Sequence, residues 1–165
     1  MIHYIKGDVT APVVGEGHRF VTHVCNNIGW WGRGVSGPIG DRWPTAKIDF
    51  LRIPPSPSGT GLGRVIYTTV QDVTVCGMIA QNDVRSARNP VPLNMPALRV
   101  CLEALADNVK ACQRAWTIPP NAPLRCTIHM PRIGCGLAGG SWAEVGPLVE
   151  TILTDFEVYV YDFEP

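Results

Sequence analysis

The chain has 165 residues, no formal net charge, 45% apolar residues and 17% charged ones. That composition suits one domain, residues 1–165, around one core and excludes a disordered chain. A neutral chain argues against a protein that grips a nucleic-acid backbone, and no apolar run approaches the ~20 residues of a membrane-spanning helix.

Tyr4 and Ile5 begin a short strand that ends at Gly7-Asp8, and Arg19 to Val24 reads as a second strand. Cys25 to Gly34 is a polar, glycine-rich loop, and a helix is expected from about Gly34 to Trp43, stopping before Pro44. Pro54 to Gly63 is a surface connection by composition. Arg64 to Val70 and Val73 to Ala80 are two strands joined by a turn at Gln71-Asp72. Gln81 to Pro92 is polar and irregular. Asn94 caps a long helix reaching about Ala115, with Leu98, Cys101, Leu102, Leu105 and Val109 on one face. After a proline-rich connection at 116–123, Arg125 to Met130 is a strand and Pro131 to Gly140 a second glycine-rich loop. Ser141 caps a helix through about Leu153, with Glu144 placed for a capping box, and Glu157 to Phe163 is the last strand. Strands alternating with helices predict an α/β layered fold, and the close pair at 64–80 a mixed sheet.

The six cysteines, Cys25, Cys76, Cys101, Cys112, Cys126 and Cys135, form no CxxC pair and no zinc-like spacing with histidine. No metal is expected. Cys76, Cys101 and Cys126 sit in apolar segments and read as small hydrophobes, the set reads as reduced thiols of a cytoplasmic protein, and the first residues lack the apolar stretch of a signal peptide.

Both glycine-rich loops follow a strand and precede a helix. Glycine lets a backbone approach an anion closely, and the next helix offers free N–H donors. Either loop alone reads equally as a tight turn. The pair, with Asn26-Asn27 in one of them, points to a clamp for a diphosphate. Neither is a Walker A loop or a dinucleotide GxGxxG motif.

Several short segments carry a family resemblance. Tyr4-Ile5-Lys6-Gly7-Asp8-Val9-Thr10 opens the chain; His23-Val24-Cys25-Asn26-Asn27 and Gly32-Arg33-Gly34-Val35 form the first loop; Met130 to Leu137 (MPRIGCGL) leads into the second. With Val158-Tyr159-Val160-Tyr161 at the end, they resemble the macrodomain family, in its branch of terminal ADP-ribose protein glycohydrolases. The resemblance spans nearly the whole chain and implies a three-layer α/β/α fold with a central mixed sheet and ADP-ribose in a cleft above it. It implies that Asp8 and the Val9 backbone contact adenine, with Tyr161 and Phe163 packed beside it. Asn26 or Asn27 would sit near the distal ribose. Backbone amides of Gly32, Arg33, Gly34 and Val35, and of Gly134, Cys135, Gly136, Leu137, Ala138 and Gly139, would hold the diphosphate. Plainer readings stand beside these: Asp8 capping a turn with Thr10, Tyr161 and Phe163 as strand packing, and His23 as a core histidine. Of the adjacent Trp30 and Trp31, at least one is expected at the cleft or its rim.

The sequence departs from that branch where its chemistry resides. The branch attacks the distal ribose with a lysine, and the matching segment here reads Ile79-Ala80-Gln81-Asn82-Asp83. Its second-loop aspartate is Ala138 here. Glutamine cannot form the Schiff base that lysine forms, so a lysine-free hydrolysis is expected, with Gln81 orienting a water, Asn27 as second candidate and Asp83 as the nearest carboxylate base. Such a site suits ester-linked ADP-ribose, on glutamate or aspartate of a protein or as O-acyl-ADP-ribose. The alternatives are a non-catalytic ADP-ribose reader and an ADP-ribose 1″-phosphate phosphatase; removal of ADP-ribose from nucleic acid is the least favoured. No cofactor is expected beyond ADP-ribose as ligand or product, and a monomer is expected. Residues 81–92 are expected to close over the ligand.

Overall fold

In the computed structural model, which describes residues 1–12, 17–56, 60–115 and 125–163, six strands form one sheet. The strands are β1 (Ile2–Lys6), β2 (His18–Asn26), β3 (Arg64–Val70), β4 (Val73–Gln81), β5 (Cys126–Pro131) and β6 (Glu157–Asp162). The helices are α1 (Ser36–Arg42), α2 (Pro44–Leu51), α3 (Met95–Ala115) and α4 (Trp142–Ile152). Sheet order is β1-β6-β5-β2-β4-β3, with every neighbouring pair parallel except β3 and β4. The expected proline-rich connection at 116–123 lies outside the described residues.

Period-two alternation along the strands builds two cores. Cys76, Met78 and Ala80 of β4, Ile128 and Met130 of β5, and Val158 and Val160 of β6 face α3 and α4. Val73 and Val75, Val21 of β2, and Tyr159 and Tyr161 of β6 face the other way, against Ile39, Trp43 and Ala46 of α1 and α2. Opposite side chains of one strand thus enter opposite layers, and the result is the expected three-layer α/β/α fold. The buried parallel strand β4 has no polar face, as a strand covered on both sides requires.

Two helix starts follow local rules. Asn94 accepts from the Ala97 amide at 2.9 Å, and Ser141 from the Ala143 amide at 3.2 Å. Pro44 corrects the expectation of a single helix. It does end α1, but it also stands at the first turn of α2, where its missing N–H costs nothing and its fixed φ is already helical. No described helix is long and apolar enough to cross a membrane.

Candidate ligand-binding cleft

The carboxyl ends of β2, β4 and β5 open into a cleft of about 700 Å³, within the range of small-molecule sites. Asn26, Arg33, Gly34 and Val35 line it from the first glycine loop, and Gly134, Gly136, Leu137 and Ala138 from the second. Gln81 stands at the end of β4. Residues some sixty to a hundred apart in sequence are therefore brought to one site, where parallel strands leave their carboxyl ends between layers.

The first loop is shaped by Asn26. Its Oδ1 accepts from the amides of Ile28 (3.2 Å) and Trp30 (3.0 Å), and its Nδ2 donates to the Trp30 carbonyl at 2.7 Å. The Gly32 amide is taken by Ser36 Oγ at 3.1 Å. In the second loop the Cys135, Gly139 and Gly140 amides are taken by the carbonyls of Arg132, Gly136 and Gly134. Among the described residues, no acceptor takes the amides of Arg33, Gly34, Val35, Gly136, Leu137 or Ala138. Six N–H groups without a protein acceptor, on two facing loops and mostly open to solvent, are what an anion needs. Gly32, Cys135 and Gly139, expected as further donors, are not available for that role because their amides are already bonded.

Charge follows the same geometry. Arg33, Lys47, Arg85 and Arg132 line the cleft, and no acidic residue does. The neutral chain thus presents a locally cationic site. Arg132 is held by two bonds to Asp162 (2.6 and 3.0 Å) and lies over the rings of Tyr4 (5.3 Å) and Trp142 (5.5 Å). The bond from Arg132 holds the Asp162 carboxyl below its ordinary range and raises the guanidinium. Both thiols of the site are pushed up by burial, Cys25 strongly and Cys135 against the opposing pull of Arg132. Neither is a thiolate nucleophile. Among the described residues no cluster of histidine, cysteine and carboxylate has a metal-binding arrangement.

Several expected site residues lie elsewhere. Asn27 is buried, outside the cleft lining, with its amide committed: Nδ2 reaches the Ser56 and Thr60 carbonyls and Asn82 Oδ1 at 2.9, 3.2 and 3.1 Å, and Oδ1 accepts from the Asp83 amide at 2.8 Å. It ties three loops together and has nothing left to offer a substrate. Asp83 is also outside the lining, because its φ of 62° turns the chain and its Oδ1 folds back to the Val84 amide at 2.7 Å. Tyr161 is only 3% exposed, and its hydroxyl bonds His129 Nδ1 at 2.9 Å. It packs the core and shows no ring face to a ligand. Asp8 caps its own turn, accepting from the Thr10 amide and hydroxyl at 2.8 Å each. With the buried Val9 and the exposed Phe163 it stands at the β1/β6 edge, apart from the cleft lining.

Gln81 does reach the cleft. Its Nε2 donates to the Asp83 carbonyl at 3.0 Å, which fixes the amide plane and leaves Oε1 as an acceptor. Trp30 is exposed and lines the cleft. Trp31 also reaches its wall, and its ring packs between His23 (5.4 Å) and Phe50 (5.3 Å). His23 is a buried core residue held neutral, its pKa lowered to about 4 by burial. Lys47 and Leu51 went unread with α2. Pro44 at a first turn, followed by lining positions four apart, was the available signal.

No family model matches the sequence. Over 97% of its length the chain is 25% identical to an ADP-ribose 1″-phosphate phosphatase of Saccharomyces cerevisiae, covering 97% of that protein. A solved protein of unknown function from Bacteroides thetaiotaomicron superposes with a TM-score of 0.83 at 33% identity, covering 98% of both chains. A solved macrodomain protein of Streptomyces coelicolor superposes with a TM-score of 0.75 at 32% identity, covering 98% of this chain and 99% of the other. With the fold and about a third of its residues shared end to end with a macrodomain protein, the chain belongs to the macrodomain family.

Proposed function

We propose that this macrodomain binds ADP-ribose in the cleft and releases it from ester linkages, on glutamate or aspartate of a protein or as O-acyl-ADP-ribose, by the lysine-free route. One observation carries the reading: six amides without a protein acceptor on two facing loops, with Gln81 lining the same cleft from the end of β4. A diphosphate between those loops accepts neutral N–H donors that need no reorganisation. Laid along the carboxyl edge of the sheet, the sugar beyond it falls at the end of β4, beside Gln81. There the free Oε1 accepts a hydrogen bond from a water and turns the water's lone pair toward the anomeric carbon; the water oxygen bonds that carbon as its bond to the acyl oxygen breaks, and the surplus proton passes to the departing carboxylate or to solvent. The carboxylate of the acyl group leaves, and its low basicity removes the need for a strong acid. Asn27 enters only as the residue that positions the segment carrying Gln81 and Asp83.

Full-length similarity to a fungal ADP-ribose 1″-phosphate phosphatase favours a second reading. The same cleft would hold ADP-ribose and give up a terminal phosphate, and cationic lining suits that anion. The deciding experiment offers the purified protein glutamate/aspartate-ADP-ribosylated substrate and, separately, ADP-ribose 1″-phosphate, with ADP-ribose binding measured by calorimetry. Release of ADP-ribose from the first supports the hydrolase, and phosphate release from the second alone supports the phosphatase. Binding without either makes the protein a reader.

A further inference from the structure

The cleft is lined by more than the two glycine loops and Gln81: α2 contributes Lys47 and Leu51, four residues apart and so on one helix face, and the loop after β4 contributes Val84 and Arg85. Trp30 of the first loop joins them, 58% exposed, and Leu51 is 50% exposed. Exposed tryptophan and leucine beside a cleft are an unsatisfied surface. Among the described residues, neither Lys47 nor Arg85 has an ion-pair partner, and no carboxylate lines the cleft. With the sugar beside Gln81, as the ADP-ribose reading has it, whatever carries the ADP-ribose meets the cleft residues outside the diphosphate clamp, the set to which Lys47, Leu51, Val84 and Arg85 belong.

We propose that Lys47, Arg85 and Trp30 form an acceptor subsite that selects ADP-ribosylated peptides whose residues flanking the modified carboxylate are acidic; the proposal rests on the ADP-ribose reading of the cleft. The two cations supply long-range attraction to neighbouring aspartate and glutamate side chains, and the Trp30 indole and Leu51 give the peptide backbone an apolar bed. A peptide fits this rim better than a nucleic acid. A phosphate backbone takes an extended basic track, whereas here the chain is neutral overall and Lys47 and Arg85 line the cleft among the apolar Trp30, Leu51 and Val84.

The test uses three peptides of identical length carrying ADP-ribose through a non-hydrolysable linkage at the same position, with acidic, neutral or basic flanks. An ADP-ribosylated oligonucleotide and free ADP-ribose complete the set. Affinities are read by fluorescence anisotropy at ~0.05 M and ~0.5 M salt. The acidic peptide should bind about tenfold tighter than the basic one at low salt, with the gap closing at high salt. The Lys47→Glu/Arg85→Glu variant should reverse the order of the three peptides, whereas general damage to the fold would weaken all three alike. Equal affinities across the three peptides would overturn the subsite while leaving ADP-ribose binding intact, and so would an oligonucleotide that binds tighter than the acidic peptide. Failure of free ADP-ribose itself to bind would instead bring down the reading of the cleft, and the subsite with it.

Discussion

Gly34 and Leu137 face each other across the cleft: a Cβ placed on Gly34 would stand 3.4 Å from Leu137 Cδ1. The two glycine loops, joined to different strands, therefore meet as the walls of one slot. Gly34 sits at φ 62°, a conformation that costs any other residue roughly 1 kcal/mol. Gly34→Ala should relax the first loop out of that geometry and separate free amides that act together. ADP-ribose affinity by calorimetry should fall about tenfold, with the thermal midpoint lowered by only a few degrees. Undiminished affinity would mean that the first loop does not hold the ligand.

Two glycines of the second loop should behave oppositely. A Cβ on Gly136 would meet nothing within 4 Å, whereas on Gly140 it would lie 2.7 Å from the Gly134 carbonyl oxygen and closer still to Leu93 Cδ2. Gly136→Ala should leave stability unchanged and keep the amide available. Gly140→Ala must push Leu93 and the loop backbone apart, at a cost of about 2 kcal/mol, seen as a midpoint lower by roughly 4–8 °C. Thermal melts of the two variants side by side decide it.

Gln81→Ala should separate binding from turnover. The side chain lines the cleft from the end of β4, and its removal takes away a water-orienting acceptor without touching the free amides of the two loops. Release from ester-linked substrate should fall about 100-fold, with ADP-ribose affinity kept within about threefold. A variant that turns over at the wild-type rate would remove Gln81 from the mechanism.

What was legible in the sequence was whatever local chemistry decides alone. Strand-type runs flanking a turn at Gln71-Asp72 marked β3 at its observed bounds and β4 within one residue, the last run marked β6 within one residue, and Asn94 and Ser141 marked their helix starts. What was not legible depends on tertiary partners. Pro44 reads as a stop until the chain beyond it is seen to pack on β3 and β4, so α2, Lys47 and Leu51 were missed. Asn26 and Asn27 are adjacent and chemically identical, but β2 ends between them after an irregularity at Cys25/Asn26, and one side chain lines the cleft while the other is buried under the loops. Tyr161 looks like a ligand contact by type; only the His129 opposite explains its burial.

His23 and His129 are both buried neutral, each lowered to about 4, His129 by burial and then by Arg19. The unfolded chain binds protons at these sites near pH 6.5, the folded chain only near 4. Between those values the unfolded state holds more protons, so stability is complete above about pH 6.5 and is lost as pH falls toward 4. Denaturant midpoints taken across that window should drop with a slope that the two histidines raise by up to about two protons. His129→Gln should flatten the slope by about one. An unaltered slope in that variant would show that His129 titrates in the folded protein as it does in the unfolded chain.

Asn27→Ala tests whether the loops around the cleft are held from beneath. The Asn27 amide joins Ser56 and Thr60 to Asn82 and Asp83, so its loss leaves several carbonyls and one amide of a partly buried site unpaired. At roughly 1 kcal/mol per unsatisfied group the cost is about 2–4 kcal/mol. The segment after β4 is otherwise tied by Asn89 Nδ2 to the Asn82 and Val84 carbonyls and by the reciprocal Ser86–Asn89 backbone pair. Those bonds close the loop on itself but do not anchor it to the first loop. The exposed Arg85 and Arg88 then become the readout. Trypsin should cut there at least about tenfold faster in Asn27→Ala under native conditions, because local opening no longer breaks the Asn27 bonds. Asn27→Asp should not rescue the loop, since a carboxylate cannot donate to three oxygen acceptors and would repel them. Equal cleavage in wild type and Asn27→Ala would assign the order of this loop to its own internal bonds and leave Asn27 a packing role alone.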